Sequence, residues 1–301
     1  MKTKPVGILF VLTVWCISLN AIADDKILLW RKTPPVAAKI GGEERFEDER
    51  VYNVRKPEML LRLAPKETMN GTAVIIFPGG AYQRLSIIKE GEEIAAWLNG
   101  LGISAFIVKN RLMEFGHPAP LMDGLRAVQL VRKNAERWNI NPAKIGILGF
   151  SAGGHLAASV GVHFEDTKFL VNDLKNISAR PDFMVLIYPV ITFKDPYTHA
   201  GSRTALLGEE FSQDLIQFYS NETQVNPLTP PTFLVHGNSD TTVPAENSIL
   251  FYQALRANNI PAELHIYQVA AHGFGLRAGQ GPASEWPQRC EEWFKVNSLL
   301  N

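Results

Sequence analysis

Short apolar runs alternate with segments of helical periodicity along most of the chain. The runs at 72–80, 103–110 and 144–150 are rich in β-branched residues, which is typical of strands covered on both faces. Apolar residues recur at spacings of three and four in 118–138, and this spacing predicts a helix. Further strands are predicted at 183–188, 232–237 and 262–269, and further helices at 90–102, 245–257 and 284–300. The alternation predicts an α/β fold with a mostly parallel, doubly wound sheet and helices on both faces.

Two parts of the chain depart from this alternation. Short β-type runs at 26–30, 50–54 and 59–63 are separated by charged and proline-containing stretches, and we interpret them as an antiparallel N-terminal edge of the sheet. The segment 189–231 lacks clear strand periodicity, and it is interpreted either as a partly helical insertion able to roof a pocket or as a plain surface excursion. Because no repeat or linker divides the chain, residues 24–301 are predicted to form a single domain.

The first residues have the features of an export signal. Lys2 and Lys4 precede an apolar run at 6–19, and Ala21 and Ala23 supply the small side chains that a signal peptidase accepts. We therefore predict a signal peptide over 1–23 and a secreted or periplasmic protein. The alternative is an N-terminal membrane anchor, but the run is shorter than the roughly twenty apolar residues that span a bilayer. Stable membrane insertion after signal cleavage is not expected.

Composition and charge narrow the classes of partner. Thirty basic residues balance thirty acidic ones, so no long-range field favours nucleic acid or an anionic membrane. Signal cleavage would remove Cys16 and leave Cys290 without a disulfide partner. No His, Cys, Asp or Glu residues have the spacing typical of a zinc site, so neither a metal nor another cofactor is expected. The sequence carries no signal for a particular oligomeric state.

Ser151 lies in the pentapeptide Gly149–Gly153, which matches G-x-S-x-G between a predicted strand and a predicted helix. In this context the pattern is typical of a nucleophile held on a tight turn, where flanking glycines prevent collisions. The alternative is structural, with Ser151 as a helix N-cap and the glycines permitting close packing. The pattern makes Ser151 a candidate nucleophile that needs a base and an acid elsewhere in the chain.

Asp240 and His272 are the candidates for those two roles. Each follows a predicted strand, and the order serine, acid, histidine is the one expected on this type of fold. Asp240 could instead stabilise a polar turn, and His272 could cap or pack. His236 is the rival base, but it lies at a strand end before the acid's loop and is assigned a structural role. His155 follows Ser151 by one helical turn and is expected to pack beneath it.

A tetrahedral intermediate also needs donors for its negatively charged oxygen. The N–H of Ala152 is one candidate, because it lies at the start of the helix. The glycine-rich stretch after the strand at 72–77 supplies the others, and we choose Gly80 and Ala81. The alternative is that this stretch only forms a turn.

Several stretches together resemble the α/β-hydrolase superfamily, and within it the secreted acetylxylan-esterase-like carbohydrate esterases. They are "LLW", "NGTAVIIFPGGAYQRLSIIKEGEEIAAWLNGLGISAFIVKNRL", "PLMDGLRAVQLVRKNAERWNINPAKIGILGFSAGGHLAAS", "HGNSDTTVP" and "HGFG". The resemblance implies a serine esterase that removes acyl groups, acetyl above all, from plant polysaccharide such as acetylated xylan. Ser151, Asp240 and His272 stand at the matching triad positions. Ala81 and Asn110 depart from the common pattern, and both bear on pocket shape and acyl preference.

The remaining candidates have two interpretations each. Tyr82, Tyr188 and Phe274 lie near motif ends, where they could stack on a sugar ring or belong to the core. Glu90 and Asp123 could anchor loops through Arg111 or Arg126. The alternatives for the whole chain are a peptidase or short-chain lipase on the same fold, or a catalytically silent binding protein.

Overall fold

An eight-stranded sheet runs through the centre of the molecule in a computed structural model, which describes residues 25–279 and 281–300. The predicted signal peptide 1–23 lies outside these residues. The sheet order is β1-β4-β6-β5-β7-β8-β9-β10. The ten strands of the described chain are β1 Lys26–Leu28, β2 Arg45–Glu47, β3 Arg50–Tyr52, β4 Glu58–Arg62, β5 Ala73–Phe77, β6 Ser104–Lys109, β7 Ile145–Phe150, β8 Met184–Ile187, β9 Thr232–Gly237 and β10 Ala262–Tyr267.

Strand direction in the sheet changes at one edge. From β6 to β10 all neighbours are parallel, and Ile75 of β5 is flanked by Phe106 and Ile147. Strand β4 runs antiparallel to both β6 and β1. Strands β5, β7 and β9 are buried along their whole length, which explains their continuous apolar sequence. The predicted mostly parallel sheet with an antiparallel N-terminal edge is confirmed.

One predicted edge strand is wrong in its placement. The run at 50–54 contributes β3, which pairs with β2 in a separate two-stranded ribbon. Only Val51 of β3 is buried, and it exchanges two backbone hydrogen bonds with Leu85 at 2.9 and 2.8 Å. A strand with a single buried residue has little apolar surface to hold it in the sheet, so it is fixed by this local bridge instead.

Helices cover both faces of the sheet, as predicted. Alternate residues of β5 belong to two different core clusters, because successive side chains in a strand point to opposite faces. One cluster includes Leu125, Leu156 and Phe251, and the other includes Leu98 and Phe294. The seven α-helices of the described chain are α1 Glu93–Gly100, α2 Ala119–Lys133, α3 Ser151–His163, α4 Ala200–Leu207, α5 Gln213–Tyr219, α6 Glu246–Ala257 and α7 Trp286–Val296.

Three predicted helices differ from the structure at their ends. The predicted helix 90–102 is preceded by a π-helical turn at Ile88–Glu92 and becomes α-helical at Glu93. Helix α2 ends at Lys133, and a 3-10 turn at Glu136–Trp138 continues its apolar spacing. The predicted closing helix 284–300 is shortened to α7, which follows a 3-10 turn at Gly281–Glu285.

The segment 189–231 contains α4, α5 and a 3-10 turn at Asn221–Thr223. Its side chains Leu206, Ile216 and Tyr219 join the same core cluster as α2 and α3. His199 caps α4 by accepting a hydrogen bond from the N–H of Ser202 at 3.2 Å. Across the part of the chain that the structure describes, every helix is too short or too polar to cross a membrane.

Candidate active site

Ser151 lies on the turn between β7 and α3, and its backbone has a φ of 52°. This left-handed conformation is strained for a residue with a side chain. The turn is possible because Gly149 and Gly153 are so close that a Cβ on Gly149 would overlap the backbone of Gly153. A Cβ on Gly153 would in turn overlap the carbonyl groups of Phe77 and Pro78. The glycines therefore let strand, turn and helix approach closely enough to hold Ser151 in this conformation.

The structure brings Ser151, His272 and Asp240 into one chain of hydrogen bonds. His272 Nδ1 lies 2.6 Å from Asp240 Oδ2, and His272 Nε2 lies 2.8 Å from Ser151 Oγ. Because an ionised carboxylate only accepts hydrogen bonds, Nδ1 carries the proton and Nε2 is free to accept from the serine hydroxyl. Asp240 and His272 follow β9 and β10, whose carboxyl ends meet at the edge where Ser151 lies.

The Asp240 carboxylate is stabilised as an anion. Its side chain is 1% exposed, and burial by itself would raise its pKa. Hydrogen bonds with His236 and His272 and from the backbone N–H of Val243 outweigh burial and lower the pKa below its usual value. The Asp240 carboxylate is therefore charged at neutral pH.

His236 and His155 have the structural surroundings expected of them. Both are fully buried. His236 bonds Ser248 Oγ at 2.7 Å and the Val243 carbonyl oxygen at 2.9 Å, while its Nε2 lies 3.5 Å from Asp240 Oδ2. His155 is part of α3, one turn after Ser151, and its ring centroid is stacked 4.2 Å from that of Phe193. His236 thus contacts the acid and not the serine.

The candidate oxyanion donors lie on the turn after β5 and at the start of α3. Gly80 has a φ of 137° and Ala81 a φ of 57°, so both have positive φ, a conformation that favours glycine. The Gly79 N–H is already engaged by Glu90 Oε2 at 2.8 Å. Among the described residues, the N–H groups of Gly80 and Ala81 have no acceptor. The N–H of Ala152 belongs to the first turn of α3, where no intrahelical acceptor exists.

A cavity of about 450 Å³ opens at Ser151 and His272. Its size suits a small ligand. Its lining is polar or glycine-rich and consists of Arg50, Gly80, Ala81, Gln83, Arg84, Ser86, Lys89, Glu90, Ser151, His199, Gly201, Thr242, His272 and Gly273. Within the described ranges, no group of three or more His, Cys, Asp or Glu residues could hold a metal ion.

The interpretation of Tyr82, Tyr188 and Phe274 as sugar-stacking residues is wrong. Their exposures are 4%, 0% and 3%, and none of them lines the cavity. The Tyr82 hydroxyl bonds His155 Nδ1 at 2.8 Å, and the Tyr188 and Phe274 rings pack edge to face with centroids 4.5 Å apart. These contacts seal all three rings inside the protein, in agreement with the core alternative.

Glu90 and Tyr188 link the two loops of the site. The Tyr188 hydroxyl donates to Glu90 Oε1 at 2.9 Å and accepts from the Gly275 N–H at 3.0 Å. Since Glu90 also accepts from Gly79, one buried bridge joins the turn after β5 to the loop of His272. Burial raises the pKa of the Glu90 carboxyl. Glu90 therefore anchors loops through backbone and tyrosine rather than through an arginine.

Asp123 anchors through Arg111, one of the two expected partners. Arg111 Nη2 lies 2.8 Å from Asp123 Oδ1, and both side chains are 0% exposed. Trp30 Nε1 donates to the same oxygen at 2.7 Å. Arg126 instead pairs with Asp173 at 2.6 Å. This network lies outside the lining of the cavity at Ser151.

Sequence reasoning did not identify Arg50, Arg84, Lys89 and His199 as cavity residues. The sequence did contain a signal for Arg84 and Lys89 as cavity residues, because they follow the candidate oxyanion turn at Gly79 and Gly80 closely in the chain. Arg50 had none, because contacts distant in the chain, such as the Val51 bridge to Leu85, bring it to the cavity.

Comparison with known proteins agrees with this architecture. Residues 61–255 match the family model described as BD-FAE, and residues 212–301 match that of the dienelactone hydrolase family. The chain belongs to the BD-FAE family of α/β-hydrolases. This BD-FAE chain also superimposes on the acetyl ester-xyloside bifunctional hydrolase from Caldicellulosiruptor lactoaceticus with a TM-score of 0.81. The two are 39% identical, over 92% of this chain and 97% of the other.

Two curated relatives of the BD-FAE chain are longer proteins. An acetylxylan esterase from Xylanibacter ruminicola is 37% identical over 214 residues, which is 70% of this chain and 42% of the relative. Endo-1,4-beta-xylanase B from Butyrivibrio fibrisolvens is 40% identical over 204 residues, which is 66% of this chain and 32% of the relative. The chain therefore spans less than half the length of either.

Proposed function

We propose that this protein is a serine esterase that removes acetyl groups from xylan or its oligosaccharides. The observation that carries the proposal is the hydrogen-bonded chain from Asp240 through His272 to Ser151, which ends in an open cavity. The relatives named as an acetylxylan esterase and an acetyl ester-xyloside hydrolase support acetylated xylan as the substrate. The polar lining of the cavity also suits a sugar better than the long acyl chain of a lipid.

The proposed reaction proceeds in two steps. Ser151 Oγ attacks the ester carbonyl while His272 Nε2 takes its proton, and Asp240 stabilises the resulting imidazolium. The N–H groups of Gly80, Ala81 and Ala152 then stabilise the oxyanion, and His272 returns the proton to the departing sugar hydroxyl. Water, deprotonated by the same histidine, next attacks the acetyl-enzyme and releases acetate. Serine regains its proton, so the enzyme ends unchanged.

We also propose that the protein is exported and that cleavage before Asp24 leaves one domain over 24–301. Strand β1 begins at Lys26, so such cleavage would leave every strand of the sheet intact. The sheet takes strands from both ends of this range, and α7 packs onto its core cluster through Trp286 and Phe294. Intact-mass measurement of the protein recovered outside the cytoplasm tests this, since retention of residues 1–23 would contradict it.

Acetate release from acetylated xylan, measured beside feruloylated xylan and a peracetylated monosaccharide, tests the proposed activity. We expect acetate release from the xylan to be the fastest, and p-nitrophenyl acetate to be hydrolysed as a small reference substrate. Faster hydrolysis of a long-chain ester would contradict the carbohydrate substrate and leave the esterase. Failure to hydrolyse any ester would favour a silent binding protein instead.

A further inference from the structure

Three cationic side chains line the cavity at Ser151: Arg50, Arg84 and Lys89. All three are half-buried. The one acidic residue among the lining residues is Glu90, which is 4% exposed and already accepts hydrogen bonds from Gly79 and Tyr188. The cavity wall is therefore positively charged, although the whole chain has equal numbers of acidic and basic residues.

Among the described residues these three cations have no partner, whereas several other basic side chains are paired. Arg62 pairs with Glu92 at 2.6 Å, Lys109 with Glu58 at 2.8 Å and Arg277 with Glu49 at 2.7 Å. Over residues 25–279 and 281–300, by contrast, the side chains of Arg50, Arg84 and Lys89 form neither an ion pair nor a hydrogen bond. Two carboxylates close to these cations in the chain, Glu49 and Glu93, are engaged by Arg277 instead.

The three cations are held close to the reacting groups. Arg84 Cγ lies 2.9 Å from the position that a Cβ on Gly80 would take, so its stem runs beside the candidate oxyanion donors. Lys89 Nζ lies 3.9 Å from the corresponding position on Gly273, next to His272. Arg50 is held against the same segment by the two hydrogen bonds between Val51 and Leu85. All three side chains line the same cavity as Ser151.

We infer that the natural substrate carries a carboxylate close to its acetyl ester, on a uronic acid branch of an acetylated xylan fragment. This inference rests on the proposed esterase function. A guanidinium group binds a carboxylate through two parallel hydrogen bonds, and an ammonium group adds a point charge. In a partly enclosed cavity these contacts are screened less than on an open surface. A neutral xylan fragment would offer no charged group to the side chains of Arg50, Arg84 and Lys89.

The decisive experiment compares two substrates that differ only in charge. The first is an acetylated xylo-oligosaccharide with a glucuronic acid branch, and the second is the same compound with that carboxyl reduced to an alcohol. We expect kcat/KM to be at least about tenfold higher for the charged compound at about 20 mM salt, and the preference to shrink at about 500 mM salt. Equal kcat/KM at low salt would overturn the inference.

Single substitutions locate the effect on the cavity wall. Arg84→Gln, Lys89→Gln and Arg50→Gln should each lower the ratio of charged to reduced substrate, and Arg84→Glu should bring it below one. Arg277→Gln is the matched control, because Arg277 lies outside the cavity lining and already pairs with Glu49 and Glu93. Its ratio should stay at the wild-type value. If a cavity variant keeps the wild-type ratio, as Arg277→Gln should, the substituted cation is not part of the proposed carboxylate site.

Two further measurements separate this inference from the function on which it rests. If wild-type protein hydrolyses neither p-nitrophenyl acetate nor either of the two oligosaccharides, the proposed esterase fails. If it hydrolyses both but shows no charge preference, the esterase stands and the carboxylate site fails. Acetylated galacturonan oligosaccharides form the last comparison, and faster hydrolysis of these than of the branched xylan would overturn the xylan branch as the carrier of the charge.

Discussion

Two buried aspartates, Asp240 and Asp123, both accept hydrogen bonds from neighbouring groups, but only the network of Asp240 reaches the cavity. Both side chains are almost inaccessible, at 1% and 0% exposure, and each accepts several hydrogen bonds. The partner of Asp240 is His272, which is 19% exposed and contacts Ser151 at the cavity. The partner of Asp123 is Arg111, which is 0% exposed and enclosed on all sides. A buried carboxylate can thus take part in chemistry where its network reaches an open cavity, whereas in a closed network it can only stabilise the fold.

Substitution of Ser151 by alanine should have the largest effect on activity and almost none on stability. Removal of such a nucleophile lowers kcat by about 10⁶-fold, or about 8 kcal/mol of transition-state stabilisation. No buried group loses a partner it needs, because His272 keeps its bond to Asp240. Initial rates with p-nitrophenyl acetate and thermal unfolding check both points. Residual activity above about 1% would contradict the assigned nucleophile.

Substitution of Asp123 by asparagine should reverse this pattern. It leaves the Arg111 charge buried without a counter-charge, which reduces the free energy of unfolding by about 3–5 kcal/mol. The kcat of the folded fraction should be unchanged, because the network lies outside the cavity lining. Urea unfolding and active-site titration measure the two quantities. Glu47→Gln, which breaks the exposed pair with Arg45, is the control and should cost less than about 1 kcal/mol.

Tyr188→Phe tests the buried bridge between Glu90 and Gly275, whose loss should affect both activity and stability. It removes the hydroxyl that joins Glu90 to the Gly275 N–H, so both stability and the position of the His272 loop should suffer. We expect a loss of about 1–3 kcal/mol in unfolding free energy, together with a kcat about tenfold lower and a smaller change in KM. Tyr219→Phe is the matched control, since its buried hydroxyl bonds His117 away from the cavity. If both variants kept full kcat, Tyr188 would be only a packing residue.

The last expected effect concerns acid stability and two enclosed histidines. Burial lowers the pKa of His155 to about 3 and that of His163 to about 4, so both stay neutral in the folded protein at pH 5. The unfolded chain binds these protons below about pH 6.5, so their contribution is present above that pH and is lost as pH falls towards 4. Each should cost on the order of 2 kcal/mol of unfolding free energy at pH 5. The raised pKa of Glu90 acts in the opposite direction.

Urea unfolding at several pH values between 7.5 and 5 checks this sign. Stability that stayed constant or rose as the pH fell would contradict the prediction. His163→Gln sharpens the test, because its amide can still donate to the Phe218 carbonyl oxygen but takes up no proton on unfolding. The slope of stability against pH should become shallower in this variant.

Features set by neighbours in the chain could be predicted from the sequence, and features set by distant packing could not. Apolar runs fixed the central strands, and the order of loops after parallel strands was enough to expect Ser151, Asp240 and His272 together. The burial of Tyr188 could not be foreseen, because it depends on Glu90 and Phe274 from remote segments. The position of β3 in a separate ribbon could not be predicted for the same reason, since β3 is held by backbone hydrogen bonds to Leu85.

The ribbon of β2 and β3 has a consequence for how such an enzyme can diversify. It lies outside the eight-stranded sheet. The hydrogen bonds between Val51 and Leu85 that hold it at the site join backbone atoms only. Arg50 can therefore be substituted without a change in strand register or in the turn at Ser151. A change in this hairpin can therefore alter substrate preference in related enzymes while the reaction stays the same.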